Sequence, residues 1–229
     1  MIYALDQGGL RIAAEPGLSA TCPCCRETVA PRCGELRVWH WAHAAGAECD
    51  PWWEPETEWH RSWKRLVPSE RSEVVLGEHR ADLIASDGAV VELQNSPLSV
   101  QELREREAFY GPRMVWLLNG NAFRGNFRVQ RTGVGTRFQW AWPRLGWSYA
   151  RRPVFIHGFS MGDLLKGPNR VTGKVEPRFR PSHESNDVFQ IKSVRRRPYV
   201  QGTGRIVPLS RFLEWMVGKE EPDPPSEVR

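Results

Sequence analysis

Long hydrophobic runs are missing from this chain. No stretch approaches the roughly eighteen apolar residues of a membrane span, and the N-terminal MIYALDQGG does not read as a secretory signal. A cytoplasmic location is therefore expected, with no membrane as partner. Cysteine is scarce and odd in number, at five residues, which argues against a disulfide framework and leaves metal ligation open. Internal repeats are absent as well. What is present suits a globular protein: 229 residues allow one well-buried core plus a small appended module, and 40% apolar content with 11 tryptophans excludes a disordered chain.

The formal net charge of +5 conceals an asymmetry. Residues 51–110 carry 12 acidic against 7 basic side chains, whereas residues 111–218 carry 19 basic against 5 acidic. An acidic stretch can trap cations and a basic one can neutralise phosphates, so the pattern suits a metalloenzyme acting on a polyanion. Arginine-rich surface with no partner would have the same composition. Arg151-Arg152 and Arg195-Arg196-Arg197, set among aromatics, suit nucleic-acid backbone contact and base stacking.

Hydrophobic patterning divides the chain. Residues 1–21 alternate around Gly-rich turns as a hairpin. A cluster of Cys22, Cys24, Cys25, Cys33, His40, His43 and Cys49 follows, closing a module over 1–52. In ETEWHRSWKRLV, Trp59, Trp63 and Leu66 recur at helical spacing. EVVLG, RADLIAS and AVVELQ read as three short strands, with Asp87-Gly88 as a tight turn between the last two. Ser99 and Glu102 form a capping box for a helix running to about Tyr110, and RMVWLLN reads as a strand buried on both faces. The expected core, 53–120, is thus α/β in the order α-β-β-β-α-β. A basic, β-rich region is expected over 121–218, with a short helix at 209–217, and the acidic, proline-rich 219–229 is expected to be a disordered tail.

The most informative spacing is Asp82-x9-Glu92-x-Gln94 across two neighbouring strands. Two carboxylates so placed can hold a hard cation such as Mg²⁺ or Mn²⁺, and a third polar side chain on the glutamate's face can orient a water. Solvent-facing acids would produce the same spacing. Glu92, however, follows apolar residues in a strand expected to be buried, where an isolated carboxylate is costly. The cysteine cluster offers five candidate Zn²⁺ ligands, Cys22-x2-Cys25, His40-x2-His43 and Cys49, one more than a tetrahedral site needs.

ETEWHRSWK, EV, HRADL, VVELQNS, LS, Arg106 with Tyr110 four residues on, and VWLLNG, taken in order, resemble the nuclease domain of CoiA-like competence proteins. That domain belongs to the PD-(D/E)XK superfamily of restriction-endonuclease-like enzymes. The resemblance spans about residues 20–120 and continues more weakly through WAWPR and RRPVFIHG. It implies a Mg²⁺- or Mn²⁺-dependent nuclease acting on DNA, with Asp82 and Glu92 on the metal and Gln94 where the superfamily has lysine. A neutral amide can orient water but supplies no charge. Lys64 is expected to supply that cation, with Glu58 as a third acid near the metal and Glu56 as the alternative. His60 is a candidate general base or phosphate ligand. Arg106 and Tyr110 are candidate phosphate contacts or helix-packing residues. The family's CPxC and HFAH-type motifs are matched by CPCC and HWAH. They imply a structural zinc module held by Cys22, Cys25, His43 and Cys49, with His40 the substitute for Cys49. Because many nucleases of this fold pair to cut two strands, the resemblance also leaves room for a homodimer.

Overall fold

A computed structural model describes residues 1–35, 39–44, 49–52, 54–133, 135–141, 145–168, 175–196 and 200–218, with backbone alone at 163–168 and 175–183. The expected tail, 219–229, lies outside the described residues. The protein is a mixed α/β chain, rich in strands and poor in helices, and it divides into two compact units, Met1–Ile84 and Ala85–Arg229. The division falls inside the stretch expected to form the α/β core. Among the described residues, no helix is long and apolar enough to cross a membrane.

The first unit begins with a small sheet in the order β2-β1-β3-β4-β5, built from β1 (Tyr3–Leu5), β2 (Arg11–Ala13), β3 (Ala20–Thr21), β4 (Thr28–Arg32) and β5 (His40–Ala42). The β1–β2 turn closes because Asp6 Oδ1 accepts the amides of Gly8 and Leu10, both at 2.8 Å, while Gly9 takes a positive φ of 81°. Trp41 fills the middle of this sheet's core with Ala4, Ala14, Ala20, Cys22 and Val29, and its indole N–H donates to the Ile12 carbonyl. The module thus owes its interior largely to one buried aromatic, which is little apolar volume for an independent core.

Helix α1 (Glu58–Lys64) and the antiparallel hairpin of β6 (Ser72–Leu76) with β7 (His79–Ile84) complete this unit. The helix starts at Thr57, whose hydroxyl accepts the His60 amide. It is shorter than its apolar spacing predicts. Of the expected stripe, Trp63 is buried, whereas Leu66 lies beyond the helix end and is exposed. The buried face is instead His60, Trp63 and Lys64. A histidine and a lysine took the place that the sequence pattern assigned to apolar residues.

In the second unit, β8 (Val90–Gln94) is buried along its whole length. Helix α2 (Val100–Tyr110) opens with the expected capping box, Ser99 Oγ accepting the Glu102 amide at 3.1 Å and the Glu102 carboxylate accepting the Ser99 amide at 3.0 Å. It returns the chain to β9 (Met114–Asn119), which pairs parallel with β8. Asp87-Gly88 forms the expected turn, with Gly88 at φ 82° donating to the Ala85 carbonyl.

Beyond β9 come β10 (Phe127–Thr132), β11 (Gly135–Trp140), β12 (Val154–Pro168), β13 (Val175–Arg195) and β14 (Val200–Val207). The first part of β12 pairs parallel with β9. Antiparallel pairing then runs β12-β13-β14-β11-β10, and β10 pairs back to β12, closing a ring of strands. Phe127, Phe138, Trp140, Phe159 and Phe189 are all buried, with ring centroids such as Phe127–Phe138 5.2 Å apart. These rings, packed mostly edge to face, are the hydrophobic reason the ring closes. Helix α3 (Leu209–Val217) is the expected short helix, tied by Trp215 Nε1 to Asp87 and by Ser86 Oγ to the Trp215 carbonyl.

Candidate metal centres

Two constellations of polar side chains stand out, one a soft set of candidate metal ligands and one a ring of carboxylates around a buried lysine. The soft one lies in the small N-terminal sheet. The Cys22 amide donates to the Glu27 carbonyl and the Arg26 amide to the Cys22 carbonyl, with Arg26 at φ 65°, so CPCCR folds into a tight knuckle. The knuckle brings Cys22 and Cys25 to His43 and Cys49, and the ligand atoms of all four lie within 4.8 Å of one another. Cys22 Sγ is 3.8 Å from Cys49 Sγ, and Cys25 Sγ is 3.2 Å from His43 Nε2. Tetrahedral zinc with Zn–S bonds of about 2.3 Å sets sulfur atoms about 3.8 Å apart, so the donor set fits such an ion. The four can hold a metal such as zinc.

Burial supports this use. It pushes the Cys22 thiol up to about 11 and raises that of Cys49, so a cation is needed to keep them as thiolates. Burial, aided by Arg80, lowers His43 and keeps the imidazole neutral, the form that binds metal. His40 sits on β5 outside the set, as do Cys24, whose thiol reaches the Glu78 carbonyl, and Cys33. Asp50, next to Cys49, is buried and accepts from the Trp52 amide, from the Arg80 amide at 2.7 Å and from His79 Nδ1 at 2.9 Å. That carboxylate fixes the Cys49 end of the set to the start of β7.

The hard constellation surrounds Lys64. Its Nζ lies 3.1 Å from Asp82 Oδ1, 3.1 Å from Glu73 Oε1 and 3.2 Å from Glu56 Oε1. Burial alone would lower the lysine pKa, but Asp82, Glu73 and Glu56 together raise it. Lys64 is therefore a permanent cation near neutrality, and its chemistry is electrostatic rather than basic. Glu73 is its mirror image: burial opposes the charge, yet Lys64 and Arg80 hold the carboxyl far below its ordinary range. Arg80 is likewise raised, Glu73 and Asp82 outweighing burial.

Glu56, not Glu58, is the acid beside Lys64. Glu58 is the first residue of the helix and projects into solvent, where it pairs with Arg61 at 3.4 Å and Arg65 at 3.0 Å. His60 is not placed as a base. The Thr57 amide donates to its Nδ1, so Nε2 carries the proton and donates to Glu54 Oε1 at 2.6 Å. The ring completes a capping box in the position usually held by Glu or Gln, and its role is to start α1.

Glu73 is the member of the Lys64 cluster that sequence reasoning missed. Its second oxygen accepts the amides of Ile2 and Tyr3 at 2.7 and 3.1 Å, and its φ is 51°, a left-handed value that is rare outside glycine. The one available signal was an acid leading directly into the apolar run VVL. Its backbone strain is sustained by the four-way grip on its carboxylate and carbonyl, the latter accepting from Arg11.

In the second unit, Glu92 is buried in β8 and its Oε2 lies 3.5 Å from Arg106 Nη1, itself buried on α2. Arg106 is thus turned onto the motif glutamate. Tyr110, one turn on, is half-buried and packs edge-on against Phe109. Gln94 is buried and its amide donates to the Ser96 carbonyl at 3.2 Å. Glu107, adjacent to Arg106, accepts from Trp116 Nε1 and from the amides of Arg151 and Arg152, fixing the loop that carries those arginines.

No curated protein and no solved structure matches the chain. Residues 19–51, which hold the whole cysteine–histidine set, match the family described as the N-terminal domain of competence protein CoiA.

Proposed function

We propose that this protein is a divalent-metal-dependent nuclease that hydrolyses phosphodiester bonds of DNA, in a competence-related role. The observation that carries the reading is the Lys64 ammonium, buried 3.1 Å from Asp82 Oδ1. In the superfamily pattern that the motif residues resemble, a lysine stands two residues after the glutamate. Gln94 stands there in this chain, and Lys64 restores the missing positive charge from the preceding helix. The match of residues 19–51 to the CoiA N-terminal domain supports the competence setting.

Asp82 and Glu92 are the proposed ligands of Mg²⁺ or Mn²⁺, two carboxylates of the kind hard cations take. A divalent ion held there supplies an activated water and neutralises developing negative charge on phosphoryl oxygens. The chain's own residues have defined tasks. Lys64 orients Asp82 and offsets phosphate charge, and Glu73 and Glu56 hold the ammonium in place. Arg106, 3.5 Å from Glu92 Oε2, orients that carboxylate. The cysteine–histidine set, with zinc, has a structural task, because all four tetrahedral positions are taken by protein.

Incubating purified protein with Mg²⁺ or Mn²⁺ and single-stranded, double-stranded or branched DNA tests the reading. Cleavage by wild type, abolished in Asp82→Ala and Glu92→Ala, is the expected result. Wild type and Asp82→Ala equally inactive on every substrate would remove it.

A second reading, a non-cleaving DNA-binding factor on the same scaffold, is favoured by Gln94, whose amide is turned to the Ser96 carbonyl. Such a factor would bind DNA with ordinary salt dependence and no need of divalent ions.

A further inference from the structure

The carboxyl ends of β8 and β9, and the point in β12 where its pairing with β9 ends, collect polar side chains outside the cysteine–histidine set and the Lys64 cluster. Register places Gln94 opposite Leu118 and His157 opposite Asn119, so Asn95, Asn119 and His157 form one row across three parallel strands. Asn119 donates to Asn95 Oδ1 at 2.8 Å. Carboxyl ends of parallel strands are where α/β sheets bind ligands, at the place where neighbouring strands part company. Here β12 parts from β9 at His157 and takes β10 as its neighbour at Ser160 and Met161.

The backbone is shaped at this point. The β12–β13 register shifts between His157 and Phe159, a bulge centred on Gly158 at φ 77°. Bulges of this kind re-aim the side chains beside them. A Cβ on Gly158 would meet Asn121 and Arg124, and one on Gly120 would meet the Gly158 carbonyl. Both glycines are therefore required for the 120–123 turn to approach the bulge and deliver Arg124 to it. Burial, with Arg124, holds His157 below its ordinary value.

What occupies the place now is informative. The Glu184 carboxylate is clasped at two points, Oε2 by Arg124 Nε at 2.5 Å and Oε1 by the Ser160 hydroxyl at 3.1 Å. A charged guanidinium and a hydroxyl gripping two oxygens of one anion is the arrangement that holds a phosphate. Glu184 is about half exposed and can swing out, whereas Arg124 and Ser160 are anchored on the turn and the strand. Arg128, register partner of Ser160 on β10, brings a second cation to the neighbouring strand and donates through Nε to the Gly125 carbonyl at 3.2 Å.

We propose that Arg124, Ser160 and Arg128, with His157 alongside, form a phosphate-binding subsite in which Glu184 is the resident stand-in for the ligand. The phosphate comes from a polynucleotide backbone or from a mononucleotide. The first source rests on the nuclease reading; the subsite itself does not depend on cleavage. Arriving phosphate displaces Glu184 and takes over both of its contacts, so Glu184 is an internal competitor and its removal strengthens binding.

Binding of a short fluorescently labelled oligonucleotide and of a mononucleotide, both in EDTA, tests this. Arg124→Gln should weaken oligonucleotide binding on the order of tenfold and lower its salt slope by about one. Ser160→Ala should weaken it less, and Glu184→Gln should tighten it. A response with the oligonucleotide alone assigns the subsite to backbone phosphates, and a response with both assigns it to a terminal phosphate. Arg124→Gln and Glu184→Gln binding both probes as wild type does would overturn the proposal. Since EDTA prevents cleavage, a protein that binds through Arg124 yet never cuts DNA would keep this subsite and lose the nuclease reading. A cutting protein indifferent to Arg124 would do the reverse.

Discussion

The cysteine–histidine set and the carboxylate set are assembled in different ways. In the first, thiols and an imidazole face one another across less than 5 Å, within 28 residues of chain and one small sheet. In the second, three carboxylates face an ammonium that the protein itself supplies. Soft ligands collected without their own counter-charge must protonate or take up a metal, and burial disfavours the Cys22 and Cys49 thiolates near neutrality. Hard ligands can instead be pre-paired with lysine and arginine. The cysteine–histidine set thus ties the folding of its module to a metal such as zinc, whereas the carboxylate cluster is organised by the protein's own cations.

Several experiments would break or sharpen this contrast. The largest effect should follow zinc removal. Protein purified without chelator should contain near-stoichiometric zinc, lost in Cys25→Ser and Cys49→Ser together with the ordered small sheet. Metal analysis and circular dichroism read this, and the contrast breaks if the metal-free protein keeps its sheet. EDTA treatment should by comparison leave the Lys64–Asp82 pair in place, while Glu73 loses its contacts to the Ile2 and Tyr3 amides of the small sheet.

Lys64→Ala should come next, because it leaves three acids around an empty buried position. Breaking such a group costs about 3–5 kcal/mol, read from the denaturant midpoint. A loss under about 1 kcal/mol would mean the cluster is hydrated and loosely held.

Glu73→Gln sharpens the picture through pH. Because the folded carboxyl lies below its unfolded value, its stabilisation is complete above the ordinary glutamate pKa of about 4.3. It is lost as pH falls through the lower folded value. The stability gap between wild type and Glu73→Gln should thus be constant near neutrality and should narrow on acidification below about pH 4. A gap that widens there would reverse the assignment.

The smallest effect belongs to His60. As a cap, His60→Gln should cost at most about 1 kcal/mol and spare activity, because glutamine also fits the capping box. Loss of catalysis with unchanged stability would restore His60 to the role of base.

How much of this was legible beforehand follows from the range of each interaction. Cys22-x2-Cys25 and the Ser99–Glu102 box are local, so their spacing alone predicted the geometry found. The strand at 114–119 was visible because its apolar run is unbroken. Lys64's partners were not all legible, since Glu73 meets it through a hairpin whose left-handed residue has no sequence signature. Glu58 and Glu56 are two residues apart, and the helix start at Thr57 decides which of them faces inward. His60 looked catalytic because a capping histidine and a reactive one share the same neighbours in sequence. The length of β12 and β13 was hidden by prolines at 168, 177 and 181, which break the alternation expected of strands.

Titration calorimetry with Mn²⁺ tests the central claim most directly. The account predicts one binding event in the wild-type protein that disappears in Asp82→Ala and in Glu92→Ala, while zinc content and the fold are unchanged. Wild-type protein that takes up no Mn²⁺, or Glu92→Ala that binds it as wild type does, would contradict the account.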